Sequence, residues 1–497
     1  MNLCGVGLCL SHPPCYDGDP MKTIVQLDHQ TILANLAQPV HLALQFSAPS
    51  LAGHREHPTA FSIVIDRSGS MAGYPLQAAI TAAKAVVRNL RSEDLFSLVT
   101  FDDNARQVVP MGLITSKSRV CDLIERITSG GSTNLTGGWM MGCDAMKSTP
   151  AGTVRRQLLL TDGQLNVGIV DPVQVKQIVA NGLEQHSIRT STLGFGVEYD
   201  EDLLSDLAKA TGGTFYDANK ADKLPEIFRS ELDGLQQITV QNLRLRIKSL
   251  DFVDAVNSLG CCPELKLPDG RLEYAVGDLM ADEERVTVFA LSVLPMPLLA
   301  GTQTPAASLE GEALVELEII YDGISTSGVT SHTERHTIRV RATQSPEDIQ
   351  VNEVVLPWVS TQQAAEILGQ ALTRRDAGDL PGAMEILQAG INRLKAYARD
   401  AQIADALQLL ETSLAEMADF IEYRKVRKGM RFKAASYAKM SSTDMWVNES
   451  GIPTFKKPRK QPPPPVQSDN TPTPPASQSA PPPGESTPPP ADPPPQT

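Results

Sequence analysis

Long apolar runs are missing from this sequence. A membrane-crossing helix needs about 18 or more consecutive apolar residues, and no such stretch occurs in the 497 residues. That excludes a transmembrane helix. A cysteine framework is missing too. The seven cysteines are an odd number, and Cys261 and Cys262 are adjacent, while Cys4, Cys9 and Cys15 lie in the first segment of the chain. None has the Cys-x-x-Cys spacing of a zinc site, so free thiols in a reducing compartment are the simpler reading. Positive charge is in deficit, with 44 Lys and Arg against 58 Asp and Glu and a formal net charge of −14. That argues against nucleic acid or an anionic membrane as the main partner. Three catalytic signatures are absent as well: a Gly-x-x-x-x-Gly-Lys-Ser/Thr loop, a Gly-x-Ser-x-Gly elbow and a His-Glu-x-x-His pair. The eight histidines show no metal-like spacing.

What is present suffices for several domains. Hydrophobic content of 41% and charged content of 21% are those of a globular protein, and the length exceeds one ordinary core. Residues 1–20 stand apart. Leu3–Leu10 is apolar but short, with no basic residue ahead of it, which makes a poor signal peptide. Either these residues are an extension ahead of Met21, or they direct export. The expected compartment is accordingly the cytoplasm, with export as the alternative.

Between residues 61 and 235, strand-like and helix-like segments alternate. This predicts an α/β unit with a doubly wound, mainly parallel sheet and helices on both faces. Phe61–Ile65 suits a central strand. Ile80, Ala83, Val87 and Leu90 repeat at helical spacing. Further strands are expected at Leu95–Phe101, Ala105–Pro110, Gln157–Thr161, Ser187–Phe195 and Gly213–Tyr216. Helices are expected at Val120–Ile127, Leu135–Lys147, Pro172–Asn181, Glu201–Ala210 and Leu224–Leu235. Residues 238–342 alternate with period two instead, with turn signals at Pro268-Asp269-Gly270 and Tyr321-Asp322-Gly323. That is the pattern of an antiparallel β-sandwich. Residues 21–60 contain Val40, Leu42, Leu44 and Phe46 in the same alternation. A strand there would belong to the sandwich and make the α/β unit an insertion between sandwich strands.

Residues 346–440 turn helical. Asp379 is placed to cap a helix. The seam Ile403, Leu407, Leu410, Leu414, Met417 and Ile421 is too short for a free coiled coil and predicts an antiparallel helical hairpin. Residues 456–497 are proline-rich, with few apolar residues to bury, so a disordered or polyproline II tail is expected. It is either simply solvated or a ligand for proline-binding modules.

One loop concentrates chemistry. Asp66-Arg67-Ser68-Gly69-Ser70 follows the Phe61–Ile65 strand and offers a carboxylate and two hydroxyls at alternating positions. Oxygen ligands suit a hard divalent cation such as Mg²⁺. Thr133 lies in Gly130-Gly131-Ser132-Thr133-Asn134-Leu135, and Asp162 follows Leu158-Leu159-Leu160-Thr161. Asp66 and Asp162 thus each follow a strand's carboxyl end, where open α/β sheets bind ligands. Gly69 is expected to permit a tight loop, Gly130 and Gly131 likewise before Thr133. Asp102-Asp103 reads as a solvated turn rather than a second cation site.

The set Asp66, Ser68, Ser70, Thr133 and Asp162 resembles the metal-ion-dependent adhesion site of von Willebrand factor type A domains. The layout beyond it resembles bacterial type A proteins with a C-terminal sandwich and helical region. The resemblance implies that the three hydroxyls coordinate an ion directly and the aspartates often act through water. It implies Mg²⁺, with Ca²⁺ or Mn²⁺ as alternatives, and a partner protein whose acidic residue completes the coordination. Thr133 rather than Ser132 matches the family pattern. Specificity would come from the loops Met71–Tyr74, Gly130–Gly138 and Gly163–Gly168. The function implied is non-catalytic, metal-dependent protein binding. Two alternatives stand beside it: an adaptor for an AAA ATPase, and a phosphoryl hydrolase with Asp66 as nucleophile. Phosphatases of the latter kind carry a second aspartate two residues on, where this chain has Ser68.

Overall fold

A computed structural model describes residues 20–51, 59–150, 152–162, 166–196, 199–218, 221–260, 262–296, 311–325, 328–395, 400–418, 420–441, 445–447 and 453–455. Residues 1–19, the proline-rich stretch from 456 onward, and Cys4, Cys9, Cys15 and Cys261 lie outside the described residues.

The described chain opens with three strands, β1 (Lys22–Leu27), β2 (Thr31–Leu33) and β3 (Gln38–Ser47). It then enters the α/β unit: β4 (Thr59–Asp66), α1 (Tyr74–Asn89), β5 (Leu95–Phe101), β6 (Ala105–Leu113), α2 (Lys117–Glu125), α3 (Leu135–Lys147) and β7 (Val154–Thr161). There follow α4 (Pro172–His186), β8 (Ile188–Phe195), α5 (Glu201–Thr211), β9 (Phe215–Ala218) and α6 (Leu224–Leu235). The sheet order is β6-β5-β4-β7-β8-β9, parallel throughout except for the antiparallel β5–β6 pair. β6 runs three residues past the expected end, through Pro110. It is an edge strand, and a proline is tolerated there because one side has no ladder partner to supply.

Successive side chains of a strand point to opposite faces, and β4 fills two cores that way. Phe61, Ile63 and Ile65 pack with Ala79, Ala83 and Val87 of α1 and with Ile227 and Phe228 of α6. Val64 packs on the other face with Trp139 of α3, Val175 of α4 and Leu207 of α5. From β4 the chain builds outward on one side (β5, β6), then crosses to build on the other (β7, β8, β9). The switch point between β4 and β7 opens a crevice at their carboxyl ends.

The chain then returns to the sandwich with β10 (Ile238–Ser249), β11 (Val253–Ser258), β12 (Glu264–Lys266), β13 (Leu272–Met280), β14 (Glu284–Val293), β15 (Glu312–Ser325) and β16 (Gly328–Thr343). Its two sheets have the orders β1-β3-β14-β11 and β12-β13-β10-β15-β16-β2. β3 pairs antiparallel with β14 from Gln38↔Val293 to Ser47↔Glu284. The α/β unit therefore sits in the chain between two strands of one sandwich. Val40, Leu42, Leu44 and Phe46 share its core with Leu243, Leu245 and Ile247 of β10 and Leu317 and Ile319 of β15. A buried ion pair, Arg189 Nε to Asp278 Oδ2 at 2.7 Å, fastens β8 to β13 and so joins the unit to the sandwich.

Four helices follow, α7 (Leu356–Asp376), α8 (Leu380–Lys395), α9 (Ala401–Ala418) and α10 (Phe420–Lys439), and a short antiparallel pair, β17 (Met445–Val447) and β18 (Pro453–Phe455), ends the described chain. The expected helical hairpin is thus part of a larger bundle. Ile403, Leu410 and Met417 of α9 pack with Leu368 and Leu372 of α7 and with Leu387 and Ile391 of α8. Asp379 caps α8 by accepting from the Gly382 amide at 2.9 Å. Arg427 of α10 donates to Asp202 at 2.6 Å and pairs with Glu201, tying the bundle to the start of α5. No helix among the described residues is long and apolar enough to cross a membrane. Cys121 and Cys143 are buried and free, and Cys262 is half-buried.

Candidate functional site

The crevice between β4 and β7 is where the sequence places its oxygen-bearing residues. Asp66 is the last residue of β4 and fully buried. The backbone leaves the sheet immediately afterwards into a short 3₁₀ turn, Gly69–Met71. Both carboxylate oxygens of Asp66 are engaged: Oδ1 accepts from the Ser68 amide at 2.8 Å, and Oδ2 accepts from the Thr161 hydroxyl of β7 at 2.6 Å. Ser68 Oγ lies 3.1 Å from Ser70 Oγ, and Ser70 Oγ donates to Asp162 Oδ1 at 2.8 Å. Asp66, Ser68, Ser70 and Asp162 therefore form one continuous hydrogen-bonded chain across the two strand ends.

Thr133 arrives on a third loop. The Gly130 amide donates to the Arg67 carbonyl at 2.6 Å, and the Gly69 amide donates to the Gly131 carbonyl at 2.9 Å. The Thr133 carbonyl accepts from the Asn166 and Val167 amides, both at 3.2 Å, beyond Asp162. Thr133 is thus stitched between the other two loops. It is buried whereas Ser132 is exposed, so Thr133 is the inward-facing member of the pair. Of the expected specificity loops, residues 163–165 lie outside the described residues.

Burial pushes the Asp66 carboxyl up to about 6. The Asp162 charge adds to that rise, and the hydrogen bonds from Ser68 and Thr161 oppose it. Arg67, next in sequence, turns its guanidinium away to Asp102 at 2.5 Å. Among the described residues, no group of three or more His, Cys, Asp or Glu side chains is arranged to hold a metal. The rim is a different donor set, carboxylates and hydroxyls, and the spacing of Ser68, Ser70 and Asp162 suits a small cation. Ligands at right angles on an ion with bonds of 2.0–2.1 Å lie about 3 Å apart. The Ser68–Ser70 and Ser70–Asp162 separations of 3.1 and 2.8 Å are close to that.

Two expectations need correction. Gly69 does not have a left-handed φ, and a Cβ there would meet nothing closer than 3.7 Å, so its loop does not depend on glycine. Asp102 is not a solvated turn residue: it is 7% exposed and ion-paired. Thr161, which the sequence pattern does not single out, is a further support of the site: its hydroxyl donates to Asp66. Its place at the end of the apolar strand beside the site was the available signal.

A topological crevice in a mainly parallel sheet, lined by this oxygen set, defines a class of α/β binding domain. The chain carries a von Willebrand factor type A domain, the family model matching residues 62–230. An uncharacterized protein of Synechocystis sp. is 27% identical over 349 residues, which cover 67% of this chain and 78% of that one. Human inter-alpha-trypsin inhibitor heavy chain H4 is 26% identical over 263 residues, 46% of this chain and 28% of that one. The chain spans well under half the length of that relative. A solved von Willebrand factor type A protein from Catenulispora acidiphila superposes with a TM-score of 0.64 at 17% identity, over 85% of this chain and 98% of that one. The ArnB paralog VWA2 from Sulfolobus acidocaldarius does so with a TM-score of 0.55 at 15% identity, over 83% and 99%. The fold shared with these two therefore extends well beyond the type A domain.

Proposed function

We propose that this rim is a protein-docking site that works through a divalent cation held by Asp66, Ser68, Ser70, Thr133 and Asp162, with Mg²⁺ favoured over Ca²⁺ and Mn²⁺. Type A domains mediate protein–protein interactions, and the chemistry of the rim says how this one does so. The observation that carries the reading is the hydrogen-bonded chain from Asp66 through Ser68 and Ser70 to Asp162, in which the Ser68, Ser70 and Asp162 oxygens stand at ion-compatible spacing on the crevice rim. A bound ion supplies positive charge and an exchangeable coordination position that a partner's Asp or Glu side chain fills. The hydroxyls of Ser68, Ser70 and Thr133 donate oxygen without adding negative charge, and aspartates that act through water leave the ion more positive charge for a partner's acid than direct carboxylate ligands would. Asp66 is held by two neutral donors, the Ser68 amide just past β4 and the Thr161 hydroxyl on β7, which orient its carboxylate without adding a counter-charge.

The non-catalytic reading gains support from the same geometry. Both oxygens of Asp66 are already hydrogen-bonded, and Ser68 stands where a phosphatase would carry its second acid. An AAA ATPase as the partner would leave the docking chemistry unchanged. The test uses Mn²⁺ as a paramagnetic probe on the full chain. NMR broadening should centre on residues 67–71 and 130–134, and Asp66→Asn should remove it. Broadening centred elsewhere, or unchanged in the variant, would refute the assignment.

A further inference from the structure

The loop that carries Thr133 has no regular structure of its own, yet the rim needs its hydroxyl within a fraction of an ångström of a fixed place. We infer that Asp102 and Arg67 are the positioning pair that holds this loop in register with Ser68 and Ser70, so that the three loops stand assembled before an ion arrives. The inference rests on the docking reading above.

The turn between β5 and β6 grips the loop on both sides of Thr133. The Asp102 carboxylate accepts from the Gly131 amide at 3.4 Å, and its carbonyl accepts from the Asn134 amide at 2.8 Å. Asp103 Oδ1 accepts from the Ser132 amide at 3.1 Å, and its carbonyl accepts from Asn134 Nδ2 at 3.2 Å. Arg67 connects this grip to the first loop. It lies between Asp66 and Ser68, pairs with Asp102 Oδ2 at 2.5 Å, and donates from Nη1 to the Thr128 carbonyl at 3.0 Å. The approach is so close that a side chain at either glycine of the loop would displace these carboxylates. A Cβ at Gly130 would lie 2.0 Å from Asp102 Oδ2, and one at Gly131 would lie 1.9 Å from Asp103 Oδ2. The glycine pair of the motif thus serves the grip of this turn.

A charged pair is well suited to this task. Neither partner touches the rim oxygens, so the pair adds no ligand. It is partly buried, so its hydrogen bonds are less screened than those of a surface pair. Holding the loop in advance lowers the ordering cost of binding.

The experiment compares wild type with Asp102→Asn, Arg67→Gln and Arg67→Lys in the full chain. It measures Mg²⁺ affinity by calorimetry, melting temperature in EDTA, and amide hydrogen exchange at residues 130–134. Loss of a residue that orients metal ligands costs about 10- to 100-fold in affinity. Asp102→Asn and Arg67→Gln should lose at least tenfold and speed exchange at 130–134, with little change in the EDTA melting temperature. Arg67→Lys should recover part of the affinity. Unchanged affinity together with unchanged exchange would overturn the inference. So would an affinity loss matched by a collapse of the EDTA melting temperature in both Asp102→Asn and Arg67→Gln. If the wild type binds no ion, the docking reading fails by itself, and exchange at 130–134 alone decides whether the pair holds the loop.

Discussion

Two buried aspartates, Asp66 at the carboxyl-end rim of the α/β sheet and Asp278 on sandwich strand β13 against the other end of that sheet, have opposite electrostatic fates. At the base, the Asp278 side chain is 6% exposed, with Arg189 Nε at 2.7 Å, Arg156 Nη2 at 3.6 Å and the Asn242 amide at 3.0 Å. Burial raises its pKa, but the two guanidiniums and the amide outweigh that and hold the carboxyl below its usual range. At the rim, Asp66 is equally buried but receives only neutral donors, and burial wins, to about 6. The base carries its counter-charge within the chain. On the docking reading, the charge on the rim is met from outside, by a proton or an ion. A site that joins two parts of one chain can keep permanent partners, whereas a site meant for an exchangeable ion cannot.

The largest effect should come from breaking the base. Asp278→Ala leaves Arg189 buried without its nearest acid, and removing one member of such a pair costs about 3–5 kcal/mol. The melting temperature should fall sharply, while Asp66→Asn in EDTA should be neutral or stabilising at neutral pH. Equal losses from the two would break the comparison. Next in size is ion linkage. Mg²⁺ at 100 times its dissociation constant should stabilise the wild type by about 2.7 kcal/mol and leave Asp66→Asn unmoved in thermal melts.

The pH dependence follows in sign from the raised pKa. Folded Asp66 holds a proton up to about 6, whereas the ordinary value is 3.8. The folded, ion-free chain therefore binds more protons across that window, and this group's contribution to stability declines as pH rises through it. Mg²⁺ affinity should move the other way, falling as pH drops below about 6 because the proton competes for the same oxygens. Melting in EDTA at several pH values, wild type against Asp66→Asn, isolates the first effect, and calorimetry across the same range tests the second. The smallest effect belongs to Asp162→Asn. Its charge is a minor contributor to the rise, so the Asp66 midpoint followed by carbon NMR should shift down only slightly.

The α/β architecture was legible because its periods are unambiguous. The expected Leu95–Phe101, Leu135–Lys147 and Leu224–Leu235 coincide with β5, α3 and α6. Alternation in Val40–Phe46 shows which face of β3 is buried. It does not show that β14, more than two hundred residues away, is its neighbour, because pairing is set by tertiary packing. The seam of α9 likewise marks its apolar side without counting the helices that cover it. At the rim, Asp66, Ser68, Ser70 and Asp162 could be read from a spaced pattern at strand ends, and Thr133, on the loop ahead of α3, from the family resemblance. The supports could not. Asp102-Asp103-Asn104 has the composition of any polar turn, and its burial appears only when the loop preceding Thr133 closes over it.

The central claim is that Asp66 lies at a rim built to take a divalent ion. Calorimetric titration of the full chain with Mg²⁺ at pH 7 tests it most directly, wild type beside Asp66→Asn. The account predicts one ion bound per chain by the wild type and none by the variant. Equal binding by both, or none by the wild type, would contradict it.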